Sequence, residues 1–187
     1  MKIRLATPNL QQDSIVDGEG IRSVIWTQGC PHNCKGCHNP GTHSIDGGFL
    51  VDVDDIKKQI DNLKFQDGIT FSGGDPMIQP ESCLEIAKYC HQKGLNVWCY
   101  TGYTYEQLLN LATKKKAISE FLKQIDVLVD GKFMIEEKSY DVVFRGSKNQ
   151  RLIDVKKSLK SNRLVLITKY DEFTYNNKGR KNQYMFV

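Results

Sequence analysis

The chain has 187 residues, of which 40% are hydrophobic and 26% are charged, and its formal net charge is +4. These values are typical of a single globular domain, and no apolar run approaches the roughly 20 residues that a membrane-spanning helix needs. The first residues lack the apolar stretch of a signal peptide, so we expect a cytoplasmic protein with no membrane association. In that reducing compartment, the six cysteines indicate metal or redox chemistry rather than disulfides.

Charge is distributed unevenly along the chain. Residues 1–112 carry 9 basic and 13 acidic side chains, a net charge of −4, whereas residues 113–187 carry 17 and 9, a net charge of +8. A basic C-terminal third suits docking to an acidic partner, and a solvated lysine-rich surface is the alternative. No aromatic residues interleave with the lysine run "TKKKAIS", so we do not predict a nucleic-acid partner.

Segments typical of strands and of helices alternate along the chain. Strands are predicted at 23–29, 68–73, 96–102 and 126–131, and helices at 53–63, 80–94, 105–112 and 117–124. In the second helix, Pro80 suits the first turn and Gly94 suits the C-terminal end. Strands that alternate with helices predict an α/β fold with a mostly parallel sheet.

Three segments of unusual composition each follow directly on a predicted strand. They are the cysteine-rich stretch "GCPHNCKGCHNP" at 29–40, "GGDP" at 73–76 and "DGK" at 130–132. The carboxyl ends of parallel strands lie on one face of a sheet, where ligands bind. We therefore expect the three segments to form a single site.

The first of these segments holds Cys30, Cys34 and Cys37 in the pattern Cys-x3-Cys-x2-Cys. The glycines and the proline within it break any regular helix, so the segment is predicted to be a loop wrapped around a ligand. Thiolates are soft ligands, which makes zinc and an iron–sulfur cluster the leading candidates. A zinc site needs a fourth ligand, and His38 is poorly suited because it is adjacent to Cys37 in the chain.

The other three cysteines are predicted to be buried small hydrophobic residues. Cys83 and Cys90 are seven residues apart on one predicted helix, about 10.5 Å along its axis, which is too far for a disulfide. Cys99 lies in a predicted strand. None of the three is expected to bind a metal.

Three cysteines suit a [4Fe–4S] cluster if one iron is left for a ligand that the protein does not supply. The pair Gly73 and Gly74 would let the main chain approach a bound molecule closely. Asp75 offers acceptor oxygens to a cationic group. These residues together predict a cluster with a small molecule beside it.

The pattern of cysteines followed by Gly73-Gly74-Asp75-Pro76 resembles the radical S-adenosylmethionine superfamily. Residues 13–40, "DSIVDGEGIRSVIWTQGCPHNCKGCHNP", resemble the glycyl-radical-enzyme activases. Gly36 and the block "FRGSKNQRLIDV" at 144–155 are similar to the activating proteins of anaerobic ribonucleoside-triphosphate reductase. The likeness covers residues 1–160, which we expect to be the core domain, with residues 161–187 as a C-terminal extension packed on it.

The resemblance implies a short, incomplete (β/α) barrel of the radical-SAM type, open enough to admit a loop of a protein substrate. It implies that Cys30, Cys34 and Cys37 hold one [4Fe–4S] cluster and that S-adenosyl-L-methionine occupies the fourth iron. The residues implied to contact S-adenosylmethionine are Gly36, Cys37, His38, Gly73, Gly74, Asp75, Asp130 and Lys132. Many relatives carry glutamate where this chain has Asp75, and adenine contacts are assigned to Tyr100 or Tyr103.

The resemblance also implies an oxidoreductase. The reduced cluster donates an electron to S-adenosylmethionine, and the 5′-deoxyadenosyl radical that forms takes a Cα hydrogen from a glycine of anaerobic ribonucleoside-triphosphate reductase. A low-potential donor such as a flavodoxin would reduce the cluster, and no catalytic side chain is expected beyond cluster and cofactor. Candidates for recognising the partner protein are Arg145, Asn149 and Arg151. The alternative is that these three residues have a structural role at a turn.

Other functions remain open from the sequence alone. They are an activase of another glycyl radical enzyme such as pyruvate formate-lyase, a small-molecule radical enzyme such as a deazaguanine synthase, and a non-catalytic zinc-binding module. Gly36 and residues 144–155 disfavour the first, and residues 13–40 disfavour the second. The zinc module predicts a colourless protein that contains no iron.

Overall fold

The computed structural model describes residues 1–171. Its strands are β1 (Lys2–Leu5), β2 (Gln11–Ser14), β3 (Arg22–Thr27), β4 (Phe49–Asp52), β5 (Gly68–Gly73), β6 (Asn96–Tyr100), β7 (Val127–Asp130) and β8 (Arg151–Asp154). Its α-helices are α1 (Val53–Asp61), α2 (Pro80–Gln92), α3 (Tyr105–Lys114), α4 (Lys116–Leu122) and α5 (Val155–Ser161). Short 3-10 turns occupy Pro40–Thr42, Pro76–Ile78 and Ile135–Glu137. Within this range, no helix has both the length and the apolar character to cross a bilayer.

All eight strands belong to one sheet, in the order β4-β1-β3-β5-β6-β7-β8, with β2 paired to β3. The central strands β3, β5, β6 and β7 are parallel, as the alternation of strands and helices predicted. The outer pairs β1–β4, β1–β3, β2–β3 and β7–β8 are antiparallel, a feature that was not predicted. The described sheet thus ends at β4 and β8 without closing, which confirms the α/β fold and is consistent with a partial barrel.

Successive side chains of each strand point to opposite faces of the sheet, and each face carries a cluster of apolar residues. On β5, Ile69 and Phe71 face the helices and belong to the main core, while Thr70 and Ser72 occupy the other face of the strand. The opposite, concave face carries a smaller cluster that includes Trp98 of β6. The helices therefore cover the convex face, and the concave face is left to form the site.

The predicted helices are found, with the expected residues at their ends. Pro80 occupies the first turn of α2, and Gly94 adopts a left-handed conformation just past its end, with a φ of +76°. Thr104 and Gln107 form a capping box at the start of α3. These caps fix where α2 and α3 begin, directly after the loops at the ends of β5 and β6.

The residues that follow α5 return to the sheet. Leu166 bridges to Ile153, and the Ile167 N–H donates to the Leu152 carbonyl at 2.8 Å. Tyr170 is buried in the concave cluster and lies edge-on to Phe144, with ring centroids 5.1 Å apart. Residues 163–171 therefore pack on the body, while the boundary at 160 stays a prediction and residues 172–187 lie outside the described range.

Candidate active site

The cysteine loop leaves β3 through Gly29, whose φ of +96° favours glycine. The main chain of the loop start is pinned, because Gly29 N–H donates to Thr42 at 2.8 Å and Cys30 N–H donates to His43 at 3.1 Å. At the other end, Cys37 N–H donates to the Cys34 carbonyl at 3.2 Å. The segment is thus a loop held by main-chain hydrogen bonds rather than a helix, as predicted.

The six cysteines fall into two groups by burial. Cys30, Cys34 and Cys37 are partly exposed, whereas Cys83, Cys90 and Cys99 are fully buried, as predicted. Burial raises the pKa of all three buried thiols, that of Cys90 to about 12, which keeps them protonated and inert. Burial also raises the pKa of the Cys30 thiol, an effect opposed by the backbone N–H of His32.

The three accessible thiols line a cavity of about 320 Å³ at the carboxyl ends of the parallel strands. The same cavity is lined by Gly73 and Gly74 at the end of β5, by residues 100–102 at the end of β6 and by Gly131 directly after β7. Each of the three segments thus contributes at least one residue to this cavity, although Asp75, Asp130 and Lys132 do not line it. The volume of the cavity is within the range of sites that bind small molecules.

Aromatic side chains and one carboxylate complete the cavity. Trp26, Tyr100 and Phe133 line it, and the Tyr100 hydroxyl donates to the Phe144 carbonyl at 3.0 Å. Tyr103, the alternative adenine contact, instead packs edge-on against His32 with ring centroids 4.5 Å apart. Asp17, which sequence reasoning did not single out, also lines the cavity, and its carboxylate accepts from the Ser14 hydroxyl.

Gly73 and Gly74 lie where the ends of β3 and β5 come closest. Gly73 has a φ of +97°, and a Cβ there would collide with the main chain of Thr27. Gly74 N–H donates to the Thr27 carbonyl at 2.7 Å, and a Cβ at Gly74 would overlap the carbonyl of Gly29. The two glycines are therefore required by the approach of the strand ends as well as by the shape of the cavity.

Asp75, the predicted receptor of a cationic group, is fully buried. It does not line the cavity that holds the cysteines. Its carboxylate accepts from His32 at 2.6 Å, from the Thr101 hydroxyl at 2.8 Å, and from the N–H groups of Gly102 and Met77 at 3.0 and 2.9 Å. The side chain is thus engaged by its own protein.

Gly36 and His38 flank the last cysteine differently. His38 lines the cavity and lies 4.7 Å from the ring of Phe133. Gly36 has a φ of +73°, and a Cβ there would meet the side chain of Ile135. The left-handed conformation and the close contact with the 3-10 turn therefore explain why glycine is needed at position 36.

Asp130 and Lys132 line a neighbouring cavity of about 420 Å³ that shares Gly102 and Gly131 with the first. Asp130 is buried and accepts two hydrogen bonds from Arg151, at 3.0 and 2.5 Å. The pair is thus adjacent to the cysteine site rather than inside it.

The three candidate partner-reading residues make internal contacts. Arg145 donates to the Asp171 carboxylate at 2.5 Å, and Arg151 pairs with Glu106 as well as with Asp130. Asn149 donates to the Lys132 carbonyl at 2.8 Å. These contacts match the structural alternative, and a role in partner binding stays a prediction.

The donor set fits a [4Fe–4S] cluster. Three thiols that carry no disulfide share one cavity. Within residues 1–171, no three Cys, His, Asp or Glu side chains are close enough together to hold a single metal ion. Thiolates are the usual ligands of [4Fe–4S] clusters, and three of them leave one iron for a further ligand.

Comparison with known proteins agrees with this assignment. Residues 16–153 match the family model described as "4Fe-4S single cluster domain". The chain is 37% identical over 148 residues to the anaerobic ribonucleoside-triphosphate reductase-activating protein of Haemophilus influenzae, with 73% of this chain and 89% of the relative covered. It is 34% identical over 145 residues to the protein of that name from Escherichia coli K12, with 73% and 90% covered.

A pyruvate formate-lyase-activating enzyme from Clostridium pasteurianum is 36% identical over 112 residues, but only 54% of this chain and 46% of that enzyme are covered. The match to the reductase-activating proteins is therefore the more complete one. The chain belongs to the 4Fe-4S single cluster domain family and, within the radical S-adenosylmethionine enzymes, to the anaerobic ribonucleoside-triphosphate reductase-activating proteins.

Proposed function

We propose that this protein places a glycyl radical on an anaerobic ribonucleoside-triphosphate reductase, using one [4Fe–4S] cluster and S-adenosylmethionine. The observation that supports this most directly is the single cavity lined by Cys30, Cys34, Cys37 and the glycines after β5. The names of its relatives state the same activation. The protein is thus a radical-SAM activating enzyme.

Each part of the cavity has a distinct task in this proposal. The three thiolates would hold the cluster, and the cluster and S-adenosylmethionine together would supply the one-electron chemistry that removes a hydrogen atom from the partner's glycine. Gly73 and Gly74 form the wall along which the methionine lies, and His38 flanks the same space. Asp130 and Lys132 contribute from the neighbouring cavity to the ribose and the methionine carboxylate.

No side-chain acid or base is needed, because a hydrogen atom moves rather than a proton. The protein's task is to hold the reacting atoms close and to keep water away from them. The rings of Trp26, Tyr100 and Phe133 supply apolar walls for this purpose. The unclosed edge of the described sheet leaves room for a loop of the partner reductase.

The proposal extends to the electron donor and to location. A cluster of this kind requires a low-potential donor, and we propose a flavodoxin. We also propose that the protein acts in the cytoplasm, beside its reductase, without nucleic-acid or membrane partners. Reduction of the cluster by a purified flavodoxin system, monitored by absorbance, tests the donor separately from the activation.

The decisive experiment is an anaerobic incubation of the reconstituted protein with a reductant, S-adenosylmethionine and the reductase. We expect a glycyl radical signal by electron paramagnetic resonance, with 5′-deoxyadenosine formed in proportion. Cys34→Ala is the control and is expected to give neither product. Cluster-dependent formation of 5′-deoxyadenosine without any radical on the reductase would contradict the proposed partner.

Pyruvate formate-lyase is the second candidate partner, since its activating enzyme shares 36% identity over part of the chain. The same incubation with pyruvate formate-lyase separates the two. We expect the radical to form on the reductase and not on the lyase. A radical on the lyase alone would reverse the assignment.

A further inference from the structure

Asp75 is held in a network that leaves its carboxylate no vacant position. Met77 N–H and the Thr101 hydroxyl reach Oδ1 at 2.9 and 3.0 Å. His32 Nε2, the Thr101 hydroxyl and Gly102 N–H reach Oδ2 at 2.6, 2.8 and 3.0 Å. The Thr101 hydroxyl has a single hydrogen, so these contacts come from four donors, which match the roughly four lone-pair positions of a carboxylate. A methionine ammonium would have to displace one of them.

The contact between His32 and Asp75 joins two parts of the site. His32 lies between Cys30 and Cys34 in the cysteine loop, whereas Asp75 follows the glycines at the end of β5. Their side chains are only 7% and 1% exposed. A buried hydrogen bond of 2.6 Å is short, and it fixes the direction of both side chains.

The surroundings of His32 are shaped to hold its ring. Tyr103 packs edge-on against it, and a Cβ at Gly102 would overlap the imidazole. Both neighbours come from the loop after β6. The ring is thus fixed between the ends of β5 and β6, in the middle of the segment that carries Cys30 and Cys34.

The length of the acid matters for this arrangement. An aspartate keeps its carboxylate within one methylene of the main chain, where it can cap the 3-10 turn through Met77 N–H. A glutamate at the same position would carry the charge one carbon farther from that turn. An aspartate at position 75 can therefore bind His32 and cap the 3-10 turn at the same time, whereas a longer acid could not.

From these contacts we infer that Asp75 is a positioning residue, which anchors the cysteine loop through His32 instead of receiving the methionine ammonium. The ammonium is then received by the main chain of residues 72–74, which lines the cavity while Asp75 does not. The inference deepens the proposed function. Its tests use the cluster and S-adenosylmethionine without any reductase, so a failure to activate the reductase would leave it standing.

A double-mutant cycle of His32→Ala and Asp75→Asn tests the anchor. After identical anaerobic reconstitution, we expect each single variant to lose about tenfold in iron affinity, because the loop that carries the thiols would be held less firmly. The double variant should lose no more than either single one, because both remove the same contact. Fully additive losses, or single variants with wild-type iron affinity, would overturn the anchor.

Two further variants separate positioning from general damage. His32→Gln retains a donor that reaches Asp75 and is expected to recover most of the iron affinity. His91→Ala, which removes a histidine on α2 that contacts the Gln124 carbonyl at 2.8 Å, is the matched control and should bind iron normally. If His32→Gln were as defective as His32→Ala, the hydrogen bond would not be the cause.

The cluster-free protein offers a readout that needs no metal. In His32→Ala we expect faster alkylation of Cys30 and Cys34, measured by mass spectrometry, while the buried Cys83 reacts as slowly as in the wild type. If Asp75→Asn does not fold, this measurement and the His32 variants still decide the anchor. Unchanged alkylation rates at Cys30 and Cys34 would overturn it.

The second half of the inference concerns S-adenosylmethionine. In cluster-loaded Asp75→Asn, or in Asp75→Ser if the former does not fold, we expect the dissociation constant of S-adenosylmethionine by equilibrium dialysis to stay within about threefold of the wild type. The change that the cofactor causes in the cluster's paramagnetic resonance spectrum should persist. A loss of affinity above about thirtyfold in Asp75→Asn, with normal iron content, would make Asp75 the ammonium receptor after all.

Discussion

The guanidinium of Arg22 lies 5.2 Å from the ring centroid of Trp98, and both side chains are buried. Arg22 also donates to the side-chain oxygens of Thr70 and Asn96, at 2.6 and 2.8 Å, and burial lowers its pKa to about 10. Thr70 passes the connection on by donating to the Asp17 carbonyl at 2.7 Å. Arg22 therefore ties the loop that bears Asp17, at the cavity wall, to β5 and β6.

Arg22→Met is expected to lower the free energy of unfolding by about 2–4 kcal/mol, because it leaves several buried acceptors without donors. Urea denaturation of the cluster-free protein measures the loss. Arg163→Met, at an exposed position after α5, is the control and should change stability by less than about 0.5 kcal/mol. A comparably small effect of Arg22→Met would contradict the role given to Arg22.

Cys34→Ala is expected to abolish stable binding of a four-iron cluster, because it removes one of three thiolate ligands. Iron and sulfide analysis after anaerobic reconstitution provides the measurement. Cys83→Ala is the matched control: it removes a buried thiol away from the cavity, at some cost in stability, and should keep full iron content. Full iron and sulfide in Cys34→Ala would refute the ligand assignment.

Gly74→Ala is expected to impair both the cluster and the cofactor. If Gly74 were only a wall of the cofactor site, added bulk would block S-adenosylmethionine and spare the cluster. The added Cβ would instead overlap the carbonyl of Gly29, next to Cys30, so we expect lower iron content as well. Gly41→Ala points into open space and is the control. Normal iron with lost cofactor cleavage would restore the simpler interpretation.

Glu106→Gln is expected to reduce the acid sensitivity of the fold. A hydrogen bond from Arg151 lowers the pKa of Glu106 from 4.5 to about 2. A carboxyl group whose pKa is lower in the folded than in the unfolded protein stabilises the fold at pH values above its unfolded pKa. This contribution is lost as the pH falls from 4.5 towards 2. Since the Glu106 side chain is 58% exposed, we expect about 1 kcal/mol or less.

Urea midpoints of the cluster-free protein at pH 6 and pH 3 measure this difference. The wild type should lose more stability between the two values than Glu106→Gln does. Glu136→Gln, an exposed acid on the 3-10 turn after β7, is the control and should behave as the wild type. Equal losses of stability between pH 6 and pH 3 in all three proteins would show that Glu106 does not contribute to the acid sensitivity.

Much of the fold and part of the site could be predicted locally. The apolar runs of β3, β5, β6 and β7 are long enough to indicate buried strands, and glycines mark where they end. The antiparallel strands at both edges were missed. β1, β2 and β8 have four residues each, of which at least half are polar, and β4 was missed although its length and composition are similar to those of β7. Arg22 was missed as well, since a single arginine carries no sign in the sequence that it will be buried.

The sequence by itself determined the chemistry of this protein. Three thiols spaced within one loop, and two glycines after the next strand, specify which groups are available, because ligand identity depends on residue type and on local spacing. The tertiary structure alone decided what each group faces. It turned Asp75 away from the cavity onto His32, and it placed Asp130 beside the site rather than within it. Such choices depend on contacts between residues that are 21 to 43 positions apart, which the local sequence does not reveal.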